Sequence, residues 1–315
     1  MLSALTKTQQ IPFHMHRRAF IKHTGKTAIA TSVFGSIRWS NNHFIGDTPT
    51  TTDILGPYYR PGAPFRTNIN PPGFSGELLH FNGRVLGNGG KIPVQNCLVE
   101  IWQCDADQHY DNISEDFRYR GAQKTDASGK YSFVTTQPVA YPIEEGSSIY
   151  RPAHIHMRIA GDGQQDLITQ IYFKGDSMLE HDGPASAPTA INRILTIGKN
   201  DKNEKELRFD IVLADEVKPT DEVFKKLTGI YKMNDKSMIE FYREGDLLFM
   251  KLDGQIIEAL SYKGKDGFSG GVNSTTTAKF EIMPGKKTKV FLHFYAVQDM
   301  TIKELILEGV ITFKY

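Results

Sequence analysis

Two histidines on one predicted strand form the densest chemical signal in the sequence. They are His154 and His156, inside the motif Arg-Pro-Ala-His-Ile-His at residues 151–156. Side chains two positions apart on a strand point to the same face, so this spacing presents two imidazoles side by side. Such a pair suits zinc, copper or iron, and a pair on a solvated strand is often inert. It indicates a candidate metal site without fixing the metal.

The surroundings of this pair argue against several common kinds of metal site. A cupin would add a carboxylate three or four positions later, where this sequence has Ile159 and Ala160. No Asp or Glu near the pair completes a facial triad, and no cysteine cluster offers zinc a thiolate. A zinc or copper hydrolase would also need a carboxylate near the pair as general base, which weakens that hypothesis.

Two tyrosines lie upstream of the histidines. Tyr141 follows Tyr110 by 31 positions, and His154 follows Tyr141 by 13. With Arg-Pro-Ala leading the histidine pair, this series resembles the intradiol ring-cleavage dioxygenases, the protocatechuate 3,4-dioxygenase group in particular. The resemblance covers residues 51–214 and includes four further motifs: Gly-Pro-Tyr-Tyr at 56–59, Glu-Ile-Trp-Gln-Cys-Asp-Ala at 100–106, Asp-Ala-Ser-Gly-Lys-Tyr-Ser-Phe at 126–133 and Gln-Ile-Tyr-Phe-Lys-Gly-Asp at 170–176. The third of these recurs in non-catalytic sandwiches and supports the fold alone.

The resemblance implies a mononuclear, non-haem Fe(III) cofactor. Its implied ligands are Tyr110, Tyr141, His154 and His156. Phenolate oxygen is a hard, electron-rich ligand that favours ferric iron, and ferric iron can deprotonate a phenol whose pKa is otherwise about 10. Two phenolates and a hydroxide also neutralise the charge of the ion. Tyr119 is the rival to Tyr110 as ligand, and its alternative role is that of a core or rim aromatic.

The resemblance also implies catalytic and substrate-binding residues. Arg151 would face the electron-rich carbon of the bound substrate as a fixed cation, or else form a structural salt bridge. Gln170 would lie near the iron and oxygen pocket, and Tyr141 would accept a substrate proton as it leaves the metal. Tyr58 and Tyr59 would line the substrate pocket, although aromatic residues there could equally be core.

The activity implied is that of an intradiol dioxygenase. Such an enzyme cleaves a catechol-type ring between its two hydroxyl-bearing carbons with O2 and yields a cis,cis-muconate-type product. The sequence carries no nucleotide-binding glycine motif or flavin signature, which agrees with a reaction that needs no external reductant. A hypothesis of another class stays open: an exported β-sandwich that binds aromatic or glycan ligands and carries a vestigial metal site.

The sequence leaves the substrate and the assembly open. Protocatechuate carries a carboxylate, for which Arg60, Arg66 and Arg118 are candidate partners. The long helical N-terminal segment of catechol 1,2-dioxygenases is absent, which favours the protocatechuate-like branch. A homo-oligomer is one option, because that branch often builds its pocket across chains.

The candidate site residues must be positioned by the predicted strands. These are short runs of alternating apolar and polar residues, separated by Gly, Asn and Asp turns. Over residues 51–214 they predict an antiparallel β-sandwich. A charged, Pro-containing stretch at 215–222 is typical of a linker. Seven or so further strands at 223–315 predict a smaller β-meander or barrel, interpreted as an accessory domain. The chain is therefore predicted to be all-β.

Composition and charge exclude some functions. The 315 residues carry a formal net charge of +1 and are 23% charged, which argues against nucleic acid as a partner. No apolar run reaches the roughly 18 to 20 residues that a membrane-spanning helix needs. Cys97 and Cys104 are seven positions apart on one predicted strand, about 23 Å at strand rise, so they should not bridge each other.

Residues 1–50 have the pattern of an export signal and a joining segment. Arg17 and Arg18, followed by Phe-Ile-Lys, precede a short and weakly hydrophobic stretch of small residues, which resembles a twin-arginine signal. This pattern predicts a periplasmic or extracellular protein, and the alternative is an amphipathic leader on a cytoplasmic protein. Met15 directly precedes the motif and is the predicted true start.

Overall fold

The computed structural model describes residues 30–32, 35–40, 43–45, 49–215, 217–285, 287–298 and 301–315. Met15 and the predicted export motif lie outside these residues. The first described strands are β1 (Ala30–Ser32), β2 (Gly35–Ser40) and β3 (His43–Ile45), which pair as a small antiparallel sheet. No helix in the described part of the chain is long and apolar enough to cross a membrane.

Two sheets then pack face to face and confirm the predicted sandwich. Their strands are β4 (Leu78–Gly87), β5 (Ile92–Pro93), β6 (Leu98–Trp102), β7 (Arg120–Lys124), β8 (Lys130–Thr136), β11 (His154–Ala160), β12 (Leu167–Phe173), β13 (Ile194–Leu195), β14 (Gly198–Lys199), β15 (Lys205–Arg208) and β16 (Ile211–Val212). One sheet has the strand order β13-β12-β11-β6-β7, and the other has the order β14-β15-β4-β16, with β5 and β8 also paired to β4. A separate hairpin pairs β9 (Tyr141–Pro142) with β10 (Tyr150–Arg151).

Strand β11 is buried on both faces, and this positions the candidate site. Ile155, Met157 and Ile159 lie in the apolar core between the two sheets. Because side chains alternate along a strand, His154 and His156 point to the opposite face. They are buried there as well, each 1% exposed. The histidine pair is therefore not on a solvated strand face.

Three predicted elements differ from the observed ones for identifiable reasons. Of the strand predicted at 192–197, only β13 (Ile194–Leu195) is observed, because Asn192 and Arg193 end a 3-10 helix, Pro188–Arg193. The strand predicted at 207–213 divides into β15 and β16, which both pair with β4 in parallel. Strand β7 includes Arg120 and Gly121, which the sequence predicts to lie in a loop or its support together with residues 118–119, and it lacks β-branched and aromatic residues.

The C-terminal part is a closed barrel of eight strands. They are β17 (Gly229–Met233), β18 (Met238–Glu244), β19 (Leu247–Leu252), β20 (Gln255–Tyr262), β21 (Gly267–Gly270), β22 (Thr276–Ile282), β23 (Thr288–Gln298) and β24 (Thr301–Lys314), and β24 pairs with β17. The strand that sequence reasoning missed is β21, which has glycine at both ends. A short helix, α1 (Gly183–Ser186), lies in the sandwich, and α2 (Asp221–Leu227) begins inside the predicted linker. The domain boundaries, 51–214 for the sandwich and 223–315 for the C-terminal domain, stay predictions.

Apolar side chains join the barrel to the sandwich. Leu55, Trp102 and Ile168 pack in one buried cluster with Leu247 and Phe249 of the barrel. Arg158 of β11 reaches across to form an ion pair with Glu244 of β18. The two cysteines are free, buried thiols, as predicted.

The buried carboxyl group of Glu258 makes stability depend on pH at this contact. It accepts hydrogen bonds from the amides of Leu55 and Ala259, and burial raises its pKa to about 8. The folded protein therefore keeps a proton between about pH 4.3 and 8 that the unfolded chain releases. The free energy of unfolding should fall as pH rises through this window.

Thermal unfolding at pH 5 and pH 8 measures this effect. The melting temperature of the wild type should fall more between these values than that of Glu258→Gln, since the amide cannot titrate. Parallel profiles for the two proteins would contradict the assignment.

Candidate metal centre and active site

His154 and His156 direct their Nε2 atoms toward one point. The two Nε2 atoms are 3.1 Å apart. Nδ1 of His154 lies 2.7 Å from the carbonyl oxygen of Pro152, and because a carbonyl only accepts, that nitrogen carries the hydrogen. The lone pair of His154 Nε2 therefore faces the site. Burial, followed by the nearby charge of Arg151, holds the pKa of His154 well below its usual range.

Tyr110 and Tyr141 bring their phenol oxygens to the same point. The hydroxyl of Tyr141 is 3.3 Å from His154 Nε2, and that of Tyr110 is 3.4 Å from the same nitrogen. Burial raises the pKa of both phenols, that of Tyr141 to about 12. A buried phenolate is unfavourable without a neighbouring cation, so these oxygens would ionise readily only beside a positive charge.

These four donor atoms fit a single metal ion. Neighbouring atoms in the set are 3.1 to 3.5 Å apart. Ligand atoms about 2.0 to 2.2 Å from one ion lie about 3 to 3.5 Å from one another. Burial, followed by the charges of His154, Arg151 and Arg120, holds the pKa of His156 far below its usual range, so this imidazole is neutral as well. Among the described residues no group of three or more His, Cys, Asp or Glu side chains could hold a metal, so a metal at this point would draw ligands from the tyrosines as well.

Arg151 lies directly beside the donor set and is held by a carboxylate. Its Nη1 is 3.3 Å from His154 Nε2, and its Nε donates to Oδ1 of Asp182 at 3.0 Å. Burial alone would lower the pKa of Arg151, but Asp182, Tyr141 and Tyr172 together outweigh it and hold the pKa well above its usual range. Nη2 also donates to Oε1 of Gln170 at 3.0 Å. The arginine is therefore a fixed cation at the site.

A second buried ion pair supports the residues that surround Arg151. Asp53 and Arg193 form a completely buried ion pair. Asp53 accepts a hydrogen bond from the hydroxyl of Tyr172 at 2.8 Å, and this hydroxyl also lies 3.1 Å from Oε1 of Gln170. Gln170 sits opposite His156 in the β11–β12 register. These hydrogen bonds link Asp53 through Tyr172 and Gln170 to Arg151.

Tyr58 and Tyr59 point in opposite directions. The ring of Tyr58 stacks on Tyr110 with centroids 4.3 Å apart, so it borders the donor set. The ring of Tyr59 packs instead on the far side of Trp102, and its hydroxyl donates to Glu100 at 3.2 Å. Tyr58 thus borders the donor set, whereas Tyr59 lies at the contact with the barrel, and their substrate-binding role stays a prediction.

Gly56 lets the backbone approach His156 closely. Its φ is +78°, and a Cβ atom there would lie 3.0 Å from Cε1 of the imidazole. A side chain would therefore strain the backbone and press on the ring. One face of His156 is covered by Trp102, which stacks on it with centroids 4.9 Å apart and planes 8° apart.

The remaining candidates from the sequence lie apart from the donor set. Tyr119 is buried and makes its phenolic hydrogen bond with Thr136, so it is not brought to the donor atoms. Arg60 donates to the carbonyl of Ser114, and Arg66 to the carbonyls of Asp116, Phe117 and Arg120. Arg118 pairs with Asp116.

Sequence reasoning missed three kinds of supporting residue. The carboxylates Asp53 and Asp182 are far from their arginine partners in sequence, and no local pattern marks them. Tyr172 had a signal, since it is two positions after Gln170 on β12 and must share its face. Trp102 was recognised only as part of a family motif.

Comparisons with known proteins identify the family of this chain. A family profile described as Dioxygenase matches residues 54–215, and this chain belongs to the intradiol dioxygenase family. The protocatechuate 3,4-dioxygenase beta chain of Burkholderia cepacia is 39% identical over 154 residues, which are 44% of this chain and 65% of that protein. Catechol 1,2-dioxygenase 2 of Acinetobacter lwoffii is 36% identical over 154 residues, which are 44% of this chain and 55% of that protein.

A solved structure is similar to about half of this chain. It is the dioxygenase domain of a dioxygenase carbohydrate-binding protein fusion from Streptomyces sp. SirexAA-E, 31% identical. The match covers 53% of this chain and 99% of that one, with a TM-score of 0.46. The chain spans 55% to 65% of the length of the two curated relatives named above.

Proposed function

We propose that this protein is a mononuclear, non-haem Fe(III) intradiol dioxygenase. It would cleave a catechol-type ring between the two hydroxyl-bearing carbons, insert both atoms of O2 and release a cis,cis-muconate-type product. The convergence of two phenol oxygens and two imidazole nitrogens within 3.1 to 3.5 Å of their neighbours carries the proposal. Tyr110, Tyr141, His154 and His156 would hold the iron.

The chain's own residues would divide the work of the reaction. Ferric iron held by Tyr110, Tyr141, His154 and His156 would supply Lewis acidity to a bound catechol. The phenol oxygen of Tyr141, with a pKa of about 12, is a strong base when ionised and would accept a hydroxyl proton from the substrate. Arg151 is a fixed cation beside the site and would stabilise negative charge that develops on the ring.

Oxygen uptake by the iron-loaded protein tests this function. A panel of catechol, protocatechuate and hydroxyquinol should consume one O2 for each ring cleaved, with a muconate-type product. If aromatic compounds bind to the iron-loaded protein without oxygen uptake, the protein is a binding module and the proposal is wrong.

We further propose that the preferred catechol carries no carboxylate. The three arginines considered as carboxylate partners are engaged elsewhere: Arg60 by Ser114, Arg66 by backbone carbonyls and Arg118 by Asp116. Glu144 lies at the exposed tip of the β9–β10 hairpin, whose base supplies Tyr141 and Arg151. Burial and then the charge of Glu144 raise the pKa of Tyr58, whereas Arg151 lowers it, so Glu144 is close enough to act on charge beside the donor set.

The ratio of kcat/KM for catechol to that for protocatechuate measures this preference. The ratio should exceed one for the wild type. Glu144→Gln should raise kcat/KM for protocatechuate about threefold to tenfold, because it removes a like charge near the site. Glu145→Gln, a neighbouring exposed carboxylate, is the matched control and should change little. A wild type that prefers protocatechuate would refute this substrate assignment.

Export by a twin-arginine signal is a separate proposal. It is supported by Arg17 and Arg18 and by the weakly hydrophobic stretch that follows. Replacing both arginines by lysine should retain the protein in the cytoplasm, and N-terminal sequencing of the unprocessed protein would identify its start. Equal export of the lysine variant would contradict the proposal.

A further inference from the structure

Residues 52–59, named the strap here, lie between the ligand-bearing sheet and the barrel. On the inner side, the amide of Asp53 donates to the carbonyl of Ile168 at 3.0 Å. Gln170 Nε2 donates to the carbonyl of Ile54 at 2.7 Å. The strap also contributes Gly56, which lies against His156, and Tyr58, which stacks on Tyr110. The ring of Tyr58 also meets Tyr141 edge-on, with centroids 6.3 Å apart, so the strap contacts three of the four candidate ligands.

The outer side of the strap is held by the barrel. Three hydrogen bonds make this contact: Thr52 Oγ1 to the carbonyl of Gly271 at 2.8 Å, Gln255 Nε2 to the carbonyl of Pro57 at 3.0 Å, and the amide of Leu55 to Glu258 Oε1 at 3.3 Å. Leu55 and Glu258 are both buried. Because the Leu55 amide is shielded from water, loss of its acceptor would leave a buried donor unpaired.

Aromatic rings continue the contact from the barrel to His156. Phe249 of β19 stacks on Tyr59 of the strap with centroids 5.6 Å apart and planes 27° apart. Tyr59 packs on Trp102 at 5.0 Å, and Trp102 stacks on His156 at 4.9 Å. Arg158 fixes the middle of this stack, since it donates to the Tyr59 hydroxyl at 2.8 Å and pairs with Glu244 of the barrel.

The two histidines differ in how their rings are held. His154 is oriented by the hydrogen bond of its Nδ1 to the carbonyl of Pro152. Nδ1 of His156 is buried and has no hydrogen-bond partner among the described residues. Metal-binding histidines are normally oriented by a hydrogen bond at their second nitrogen. The ring of His156 therefore depends on packing, between Gly56 and Trp102.

We propose that the barrel is part of the catalytic apparatus, because it holds the strap and the aromatic stack against His156. Gln255, Glu258 and Phe249 are then positioning residues for a site to which the barrel contributes no ligand. This proposal differs from the sequence-based interpretation of the barrel as an accessory domain, which stays a prediction. The role at the metal rests on the proposed function, whereas the support of the strap does not.

Hydrogen exchange in the full-length, metal-free protein tests the support directly. Gln255→Glu keeps the size of an exposed side chain, removes the donor to Pro57 and is not expected to unfold the barrel. Phe249→Leu opens the aromatic stack. In both variants the amide of Leu55 should exchange about three to ten times faster than in the wild type, as loss of one such contact implies. Iron release from the loaded protein to a chelator should accelerate by a similar factor.

Phe241→Leu is the matched control. Phe241 is as fully buried in the barrel as Phe249, but it packs on Tyr231 and Phe280 in the barrel core. It should lower the melting temperature without changing exchange at Leu55 or iron release. Equal exchange in all three variants and the wild type, or faster exchange in Phe241→Leu as well, would overturn the inference. A wild type that takes up no iron would instead overturn the proposed function alone.

Discussion

Replacing Tyr141 by phenylalanine is expected to abolish ring cleavage and leave the sandwich folded. Within the described residues the hydroxyl of Tyr141 contacts only the donor atoms of Tyr110 and His154, and the ring packs without it. The substitution removes one candidate ligand and the proposed proton acceptor. Loss of the proton acceptor alone lowers kcat by about 10²- to 10⁴-fold, and weaker iron binding adds to this.

Tyr119→Phe provides the control for this experiment. Tyr119 is similarly buried in the same domain, but its hydroxyl bonds to Thr136 rather than to the donor set. Iron content per chain and kcat should both stay near the wild-type values in this control. If Tyr141→Phe matches Tyr119→Phe in iron content and in kcat, Tyr141 is not part of the site.

Replacing Asp182 by alanine is expected to destabilise the protein strongly as well as to impair the reaction. Asp182 receives two hydrogen bonds from Arg151 and one from the amide of Ala185, and both charged groups are almost fully buried. Removing one partner of a buried ion pair costs about 3 to 5 kcal/mol, because the other charge is left uncompensated. Denaturant unfolding measures this loss.

Two further variants separate stability from catalysis. Glu281→Ala breaks an exposed pair with Lys279 and should change the free energy of unfolding by about 1 kcal/mol or less. The double variant Arg151→Met with Asp182→Leu should recover much of the lost stability, since apolar groups can replace a buried pair. It should remain inactive, because the cation beside the site is gone. An active double variant would show that Arg151 is not needed for the reaction.

The sequence predicted the parts of the site that depend on residues close together in the chain or on the motifs of the family. The common face of His154 and His156 follows from strand periodicity, and Tyr110 and Tyr141 were recognised through the family resemblance. The pairings of Asp182 with Arg151 and of Asp53 with Arg193 span 31 and 140 positions, and no periodic pattern encodes them. Only the folded chain shows which charges meet.

The same distinction between local patterns and distant partners applies to the fold. Alternating strands such as β11 and β12 were predictable, because one apolar face must be buried. Strands β7 and β21 lack β-branched residues at most positions and exist because neighbouring strands pair with them. The direction of Tyr59 was also beyond the sequence, because the barrel that receives its ring lies 190 positions further along at Phe249.

The central claim is that two tyrosines and two histidines hold one ferric ion. Titrating the metal-free, full-length protein with ferric iron, while recording the visible absorption spectrum, tests it most directly. We predict a wine-red protein whose phenolate-to-iron absorption saturates at one iron per chain and changes when catechol is added. A protein that stays colourless and retains no iron would contradict the account.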